Sequence, residues 1–226
     1  MAAVPFLYLL LAYLVGSVSF ALLAGKLVRG IDLRAHGSGN LGATNVVRVL
    51  GRPIGLAVFL LDVAKGFVPA FLFPRLSPAF PFGGAVHPAI LFGVAAILGH
   101  VFPFYLKWKG GKGVATTTGV LAALAPAAFL VGIGVWCAFL LAFRYVSLAS
   151  VAMAFAFAGS LVVLDPERSL GPDLSVTVAV AAVCALLVFR HRANLARIAA
   201  GTEPKVFSKS KTSDSVTTAP KEDARP

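Results

Sequence analysis

Six long runs of this chain carry no charged side chain, or nearly none: 4–25, 53–74, 88–106, 114–143, 145–164 and 174–189. A bilayer core of about 30 Å takes about 20 helical residues, whereas an apolar stretch of about 10–14 is usual for a buried helix of a soluble core. Backbone polar groups inside lipid need partners within their own segment, which a helix supplies. The runs therefore predict an all-α polytopic membrane protein. Composition agrees, with 58% apolar and 13% charged residues against roughly 45–50% and about 25% in ordinary soluble domains.

The run 114–143 is too long for one crossing, and Pro126 near its middle is a natural break. Cations set the orientation. Lys26, Arg29, Arg34, Arg48 and Arg52 follow the first run, Lys107, Lys109 and Lys112 the third, and Arg190, Arg192 and Arg197 the last. By the positive-inside rule these three segments are cytoplasmic. The chain between Lys112 and His191 then crosses an even number of times, so 114–143 reads as a hairpin, with a re-entrant segment as the alternative. The expectation is about seven transmembrane helices, the N-terminus outside and the C-terminus inside. The uncharged start lacks the basic region of a secretory signal and reads as a retained span. Residues 1–203 form the membrane domain. From 204 to 226 the chain turns to Lys, Ser, Thr, Pro and Asp/Glu, the composition of a solvated, disordered tail.

The net charge of +11 lies in clusters flanking apolar runs. That pattern excludes a nucleic-acid face and fits topology signals beside anionic lipid headgroups. Cys137 and Cys184 lie apart inside apolar runs without clustered histidines, so neither a disulfide framework nor a metal site is expected.

Three cytoplasmic segments carry chemistry. In the first, Gly37, Gly39 and Gly42 let backbone N–H groups turn toward one point, while Ser38, Asn40, Thr44, Asn45 and Arg48 add side-chain donors. Such a set suits phosphate. Its literal G-x-G-x-x-G match is not a dinucleotide site, because a transmembrane run precedes it where a strand is needed. In the second, Gly110, Gly111, Lys112 and Gly113 open a helix whose free N–H groups and dipole favour an anion. It is no Walker A loop, since Leu106 stands where the first glycine belongs. In the third, His191, Asn194 and Arg197 recur at spacings of three on a helix, roughly one face, and Gly201 reads as its cap. Asp62 and Lys65, three apart within a span, are costly there unless paired, and read with His100 as charge support for the floor of the site.

The order Ser38-Gly39-Asn40-x-Gly42-x-Thr44-Asn45, Asp62-x-x-Lys65-Gly66, Gly99-His100-x-Phe102-Pro103 through Gly110-Gly111-Lys112-Gly113-x-Ala115-Thr116, and His191-x-x-Asn194-x-x-Arg197-x-x-x-Gly201-x-Glu203 resembles the bacterial acyl-phosphate:glycerol-3-phosphate acyltransferases. The likeness spans nearly everything before the tail. It implies a seven-span enzyme of the bacterial inner membrane whose site opens to the cytoplasm. It also implies transfer of a fatty acyl group from acyl phosphate to the 1-hydroxyl of glycerol 3-phosphate, giving lysophosphatidic acid and inorganic phosphate as the first acylation of phospholipid synthesis. No cofactor is implied. Carried onto these positions, Ser38, Arg48 and Lys112 hold the phosphate of glycerol 3-phosphate, and His191 and Asn194 orient substrate or supply a base. Residues 39–45 cradle the donor phosphate, with Gly110, Gly111, Arg197 and Glu203 as further substrate-binding positions.

The His-x-x-x-x-Asp pair of acyl-CoA-dependent acyltransferases is absent, since Leu41, Phe92, Tyr105 and Ala196 stand five residues after the four histidines. The base is open between His191 and a phosphate oxygen of the substrate. Two other classes share the cationic loops: an anion transporter, which the missing internal repeat disfavours, and a lipid-binding scaffold.

Overall fold

The computed structural model describes residues 3–77, 80, 86–164, 166–172 and 174–206. Among them no strand occurs, and ten α-helices follow one another: α1 (Val4–Ser17), α2 (Phe20–Arg29), α3 (Ala43–Leu50), α4 (Arg52–Leu76), α5 (Pro88–Val101), α6 (Val114–Leu124), α7 (Pro126–Phe143), α8 (Val146–Leu164), α9 (Pro166–Leu170) and α10 (Leu174–Ala199). Leu56, Leu60, Leu130, Leu141, Val163 and Phe189 are exposed on helix faces, the surface of a bundle solvated by lipid instead of water.

Five helices are long and apolar enough to cross a membrane: α4, α5 with its extension to Leu106, α7, α8 and α10. α1 and α2 pass the same test only as a pair, bent by 41°. The first run is therefore a broken element where the sequence reads as one span. α6 and α7 do part at Pro126, but α6 has only 11 residues, about 16 Å of helix at 1.5 Å per residue. Pro126 itself opens α7, where its missing N–H costs nothing.

The α1–α2 break lies at Val18-Ser19, and side chains satisfy the backbone groups it frees. Ser19 Oγ caps α2 by accepting from the Leu22 N–H at 3.3 Å. The Tyr105 hydroxyl donates to the Ser17 carbonyl at 2.6 Å and accepts from the Ser19 N–H at 3.1 Å. Lys65 Nζ donates to the Val18 carbonyl at 2.6 Å. Irregular backbone within an apolar bundle persists only with such partners.

Small residues bring the helices close. A Cβ on Gly66 of α4 would lie 2.0 Å from the Thr116 carbonyl of α6, and one on Gly16 of α1 would lie 2.1 Å from the Ala96 carbonyl of α5. Where no hydrophobic force drives helices together, such approach supplies the packing. The short helix α3 packs on the start of α4, where a Cβ on Gly55 would lie 2.2 Å from Val47 Cγ2, with Val46 and Leu50 in a cluster that includes Leu22, Leu33 and Val58. α10 runs on beyond the apolar run to Ala199, which carries His191, Asn194 and Arg197 on one continuous helix.

The first residues past 203 lie against the turn between α7 and α8. Val206 N–H donates to the Arg144 carbonyl at 2.8 Å, and Lys205 Nζ lies 5.4 Å from the Tyr145 ring centroid. The expectation of a disordered tail otherwise concerns 207–226, outside the described residues.

Candidate active site

Two loops and the end of α10 build the candidate site. The first loop, 36–42, runs into α3, and at Gly39 the backbone is left-handed with φ +68°. A Cβ there would also lie 3.0 Å from the Arg34 carbonyl, so glycine is required twice over. Asn45 holds the loop shut. Its Oδ1 accepts from the Ser38 N–H at 2.8 Å, while its Nδ2 donates to the His36 carbonyl at 3.0 Å and the Leu33 carbonyl at 3.3 Å. The expected ligand donor is thus buried and occupied by the loop itself. Ser38 and Arg48 are exposed, and Asn40, Gly42 and Thr44 are half-buried.

The second loop departs further from its sequence reading. The Gly110 N–H donates to the Val101 carbonyl at 3.1 Å and the Gly111 N–H to the His100 carbonyl at 3.2 Å, so neither is free for an anion. What glycine supplies here is room. A Cβ on Gly111 would lie 2.1 Å from His100 Nε2 and 2.8 Å from the Leu41 carbonyl. Gly111 is therefore the point where the first loop, the second loop and His100 meet. The N–H groups that open α6 from Val114 have no intrahelical acceptor by construction. Lys107 and Trp108, before the glycines, both adopt left-handed backbone at φ 53° and 62°, strain of the kind found at functional loops.

Lys112 leaves this loop and donates to Asn194 Oδ1 on α10. Asn194 Nδ2 donates to Glu203 Oε1 at 2.6 Å, and Arg197 Nε donates to Glu203 Oε2 at 2.7 Å. Ser147 Oγ of α8 donates to the same Oε1 at 3.3 Å. Glu203 is a buried carboxylate that organises these three donors. A Schellman-type end of α10 brings it there: Thr202 and Glu203 N–H groups return to the Arg197 carbonyl at 2.8 and 3.2 Å around left-handed Gly201.

The electrostatics follow. Burial pushes the Lys112 ammonium down from 10.5 to about 8; Glu203 opposes that shift, while Arg197, Arg190 and Arg48 reinforce it. Burial raises the Glu203 carboxyl, yet bonds from Asn194 and Arg197 and the charges of Arg197 and Lys112 outweigh it, so it titrates below its usual range. The charge of Arg48 on α3 is thus felt at Lys112. Ser38 forms no side-chain bond to Lys112, Arg190 or Arg197 among the described residues.

His191 is buried one turn before Asn194, and its Nδ1 lies 2.8 Å from the Leu187 carbonyl. A carbonyl only accepts, so Nδ1 carries the proton and a neutral ring offers its Nε2 lone pair. Beneath the loops Asp62 and Lys65 form a buried ion pair at 2.8 Å, with His100 Nδ1 3.8 Å from Asp62 Oδ1. Asp62 Oδ1 meets the ammonium off the hydrogen-bonding direction and has no hydrogen bond within the described residues.

Two groups went unnoticed in the sequence as parts of this site. Ser147 gave no signal. Arg190 did: with Asn194 and Arg197 it makes an i, i+4, i+7 stripe, a truer helical face than the one through His191.

The model of the glycerol-3-phosphate acyltransferase family matches residues 6–201. The chain belongs to this family. It is 46% identical over 201 residues to the glycerol-3-phosphate acyltransferase of Geobacillus kaustophilus, covering 88% of this chain and 95% of that one. The enzyme of Bacillus cytotoxicus is 42% identical over 202 residues, covering 89% and 95%. Two crystal structures of PlsY (YgiH), an integral membrane glycerol 3-phosphate acyltransferase, share the fold. The glycerol 3-phosphate form gives a TM-score of 0.78 at 39% identity, and the lysophosphatidic acid form 0.76 at 38%; each comparison covers 89% of this chain and 94% of the other. This glycerol-3-phosphate acyltransferase is an integral membrane enzyme of phospholipid synthesis, built on the apolar helical bundle its sequence predicts.

Proposed function

We propose that the enzyme takes its acyl group from a fatty acyl phosphate and places it on the 1-hydroxyl of glycerol 3-phosphate, releasing lysophosphatidic acid and inorganic phosphate. The observation that carries this reading is the contact of Lys112 with Asn194, which Glu203 in turn bonds together with Arg197, while Arg190 grips the loop that carries Lys112. A cluster of cations with one aligned carboxylate is matched to two phosphorylated substrates. Seven spans, with the site on the cytoplasmic face of the bacterial inner membrane, complete the reading; the distribution of cations supports it.

The hydroxyl oxygen of glycerol 3-phosphate attacks the acyl carbonyl carbon. The bond from that carbon to the bridging oxygen breaks, and phosphate leaves with the electron pair. A mixed anhydride is already activated, so holding the two phosphates and neutralising charge lowers most of the barrier. Lys112 and Arg48 take the acceptor phosphate, with Ser38 at the edge of the first loop, and residues 39–44 face the donor. The hydroxyl proton goes to His191 Nε2, the acceptor left by the Nδ1 contact, or to a phosphate oxygen. A pH–rate profile of His191→Asn separates these routes: loss of turnover with unchanged substrate binding assigns the base to His191.

Purified protein in lipid vesicles, given palmitoyl phosphate and glycerol 3-phosphate, is expected to release inorganic phosphate in step with lysophosphatidic acid. Product formed from palmitoyl-CoA alone, without phosphate release from the acyl phosphate, would refute the donor.

A further inference from the structure

Arg190 lies one residue before His191, and its Nη2 donates to two consecutive carbonyls of the distant second loop, Gly110 at 3.1 Å and Gly111 at 2.8 Å. Its guanidinium also lies 5.8 Å from the Phe102 ring centroid, over the residue that ends α5. The two peptide groups so gripped differ in how they are held. The Gly110–Gly111 peptide is fixed at both ends, its oxygen by Arg190 and its N–H by the His100 carbonyl. The Gly111–Lys112 peptide is fixed only at its oxygen, because among the described residues the Lys112 N–H has no acceptor. In a trans peptide C=O and N–H point in opposite directions. The grip of Arg190 on the Gly111 oxygen therefore sets the plane from which Lys112 departs, and turns the Lys112 N–H away from α10 as an available donor.

We infer that Arg190 is a positioning residue for Lys112: by clamping the Gly110 and Gly111 carbonyls it sets the direction in which the ammonium reaches Asn194 and the phosphate of glycerol 3-phosphate. The inference rests on the reading of Lys112 as a phosphate ligand. Arg190 does not itself need to touch substrate. A positive charge alone does not supply this, since the guanidinium is planar, lies over the Phe102 ring and presents two hydrogens on one nitrogen in fixed geometry, whereas an ammonium is a mobile point charge.

The test compares wild type, Arg190→Lys and Arg190→Ala in lipid vesicles for KM, kcat and thermal midpoint. Arg190→Lys keeps the charge and is expected to raise KM for glycerol 3-phosphate about tenfold, the loss of one charge-assisted bond, with kcat and midpoint little changed. Added guanidinium ion is expected to restore the KM of Arg190→Ala toward wild type. A wild-type KM in Arg190→Lys would overturn the inference, because charge alone would then suffice. Failure of guanidinium to rescue, or loss of the folded state in both variants, would overturn it too, assigning Arg190 to the fold at large. Absence of acyl transfer by the wild type would strike the donor chemistry instead, and equilibrium binding of glycerol 3-phosphate to the same three proteins would still decide the role of Arg190.

Discussion

Glu203 Oε1 accepts from Asn194 Nδ2 at 2.6 Å, and that bond decides which end of the amide faces Lys112. An amide rotated by half a turn would present its NH2 to an ammonium, two donors face to face. The carboxylate therefore keeps Asn194 Oδ1 toward Lys112 and holds the Arg197 side chain at 2.7 Å.

Glu203→Gln removes the charge while keeping the shape. Its amide no longer discriminates between the two orientations of Asn194, and Lys112 and Arg197 lose their counter-ion. KM for glycerol 3-phosphate is expected to rise about tenfold, the scale of one hydrogen bond to a charged group. Steady-state kinetics in lipid vesicles measures it, and an unchanged KM would remove Glu203 from the site.

Because Lys112 titrates near pH 8, affinity for glycerol 3-phosphate should hold below that pH and fall above it as the ammonium is lost. In Glu203→Gln the fall should begin at lower pH, since the carboxylate is what props the lysine up. Unfolding does not mimic this effect. A lysine whose folded pKa is depressed binds fewer protons folded than unfolded between about 8 and 10.5, so its contribution to stability rises with pH across that window. A KM that stays flat to pH 10 would contradict the role given to Lys112.

Gly111→Ala should abolish most activity, because the new methyl would fall 2.1 Å from His100 Nε2 and 2.8 Å from the Leu41 carbonyl. The Leu41 carbonyl belongs to a backbone held by the Asn45 tie, so the second loop must move and carry Lys112 with it. Gly134→Ala in α7 is the control: apart from the backbone of its own helix turn, nothing described lies within 4 Å of its Cβ position, and alanine favours helix by about 1 kcal/mol. Equal activity in the two variants would show that the three-way contact at Gly111 is dispensable.

The sequence makes the helices legible through apolar runs and makes the site legible through glycines and cations, but only as composition. The turn between α6 and α7 was readable because Pro126 acts locally. The break at Val18-Ser19 was not, because its partners Lys65 and Tyr105 lie 47 and 86 residues away in the chain. A glycine announces that backbone can turn or approach, without saying which way its N–H will point. That is why Gly110 and Gly111 read as anion donors and prove to be packing contacts whose carbonyls serve Arg190. The loop-closing bonds of Asn45 were hidden for a related reason, since a polar side chain at a loop edge closes the loop as readily as it meets a ligand.

Lys65 joins two structures that would otherwise be unfinished, the carboxylate of Asp62 at 2.8 Å and the Val18 carbonyl at 2.6 Å. Lys65→Met should therefore destabilise the protein by about 3–5 kcal/mol, the cost of stranding one partner of a buried pair. Much of that loss should return in Asp62→Asn/Lys65→Met, where no lone charge remains, but the Val18 carbonyl would still lack its donor. Tyr105→Phe isolates the other half of the break by removing the hydroxyl that serves Ser17 and Ser19, at about 1–3 kcal/mol for unsatisfied groups. Unfolding titrations in detergent read all three. If the double variant is no more stable than Lys65→Met, the dominant role of Lys65 is its bond to Val18, and the ion pair with Asp62 is incidental to the fold.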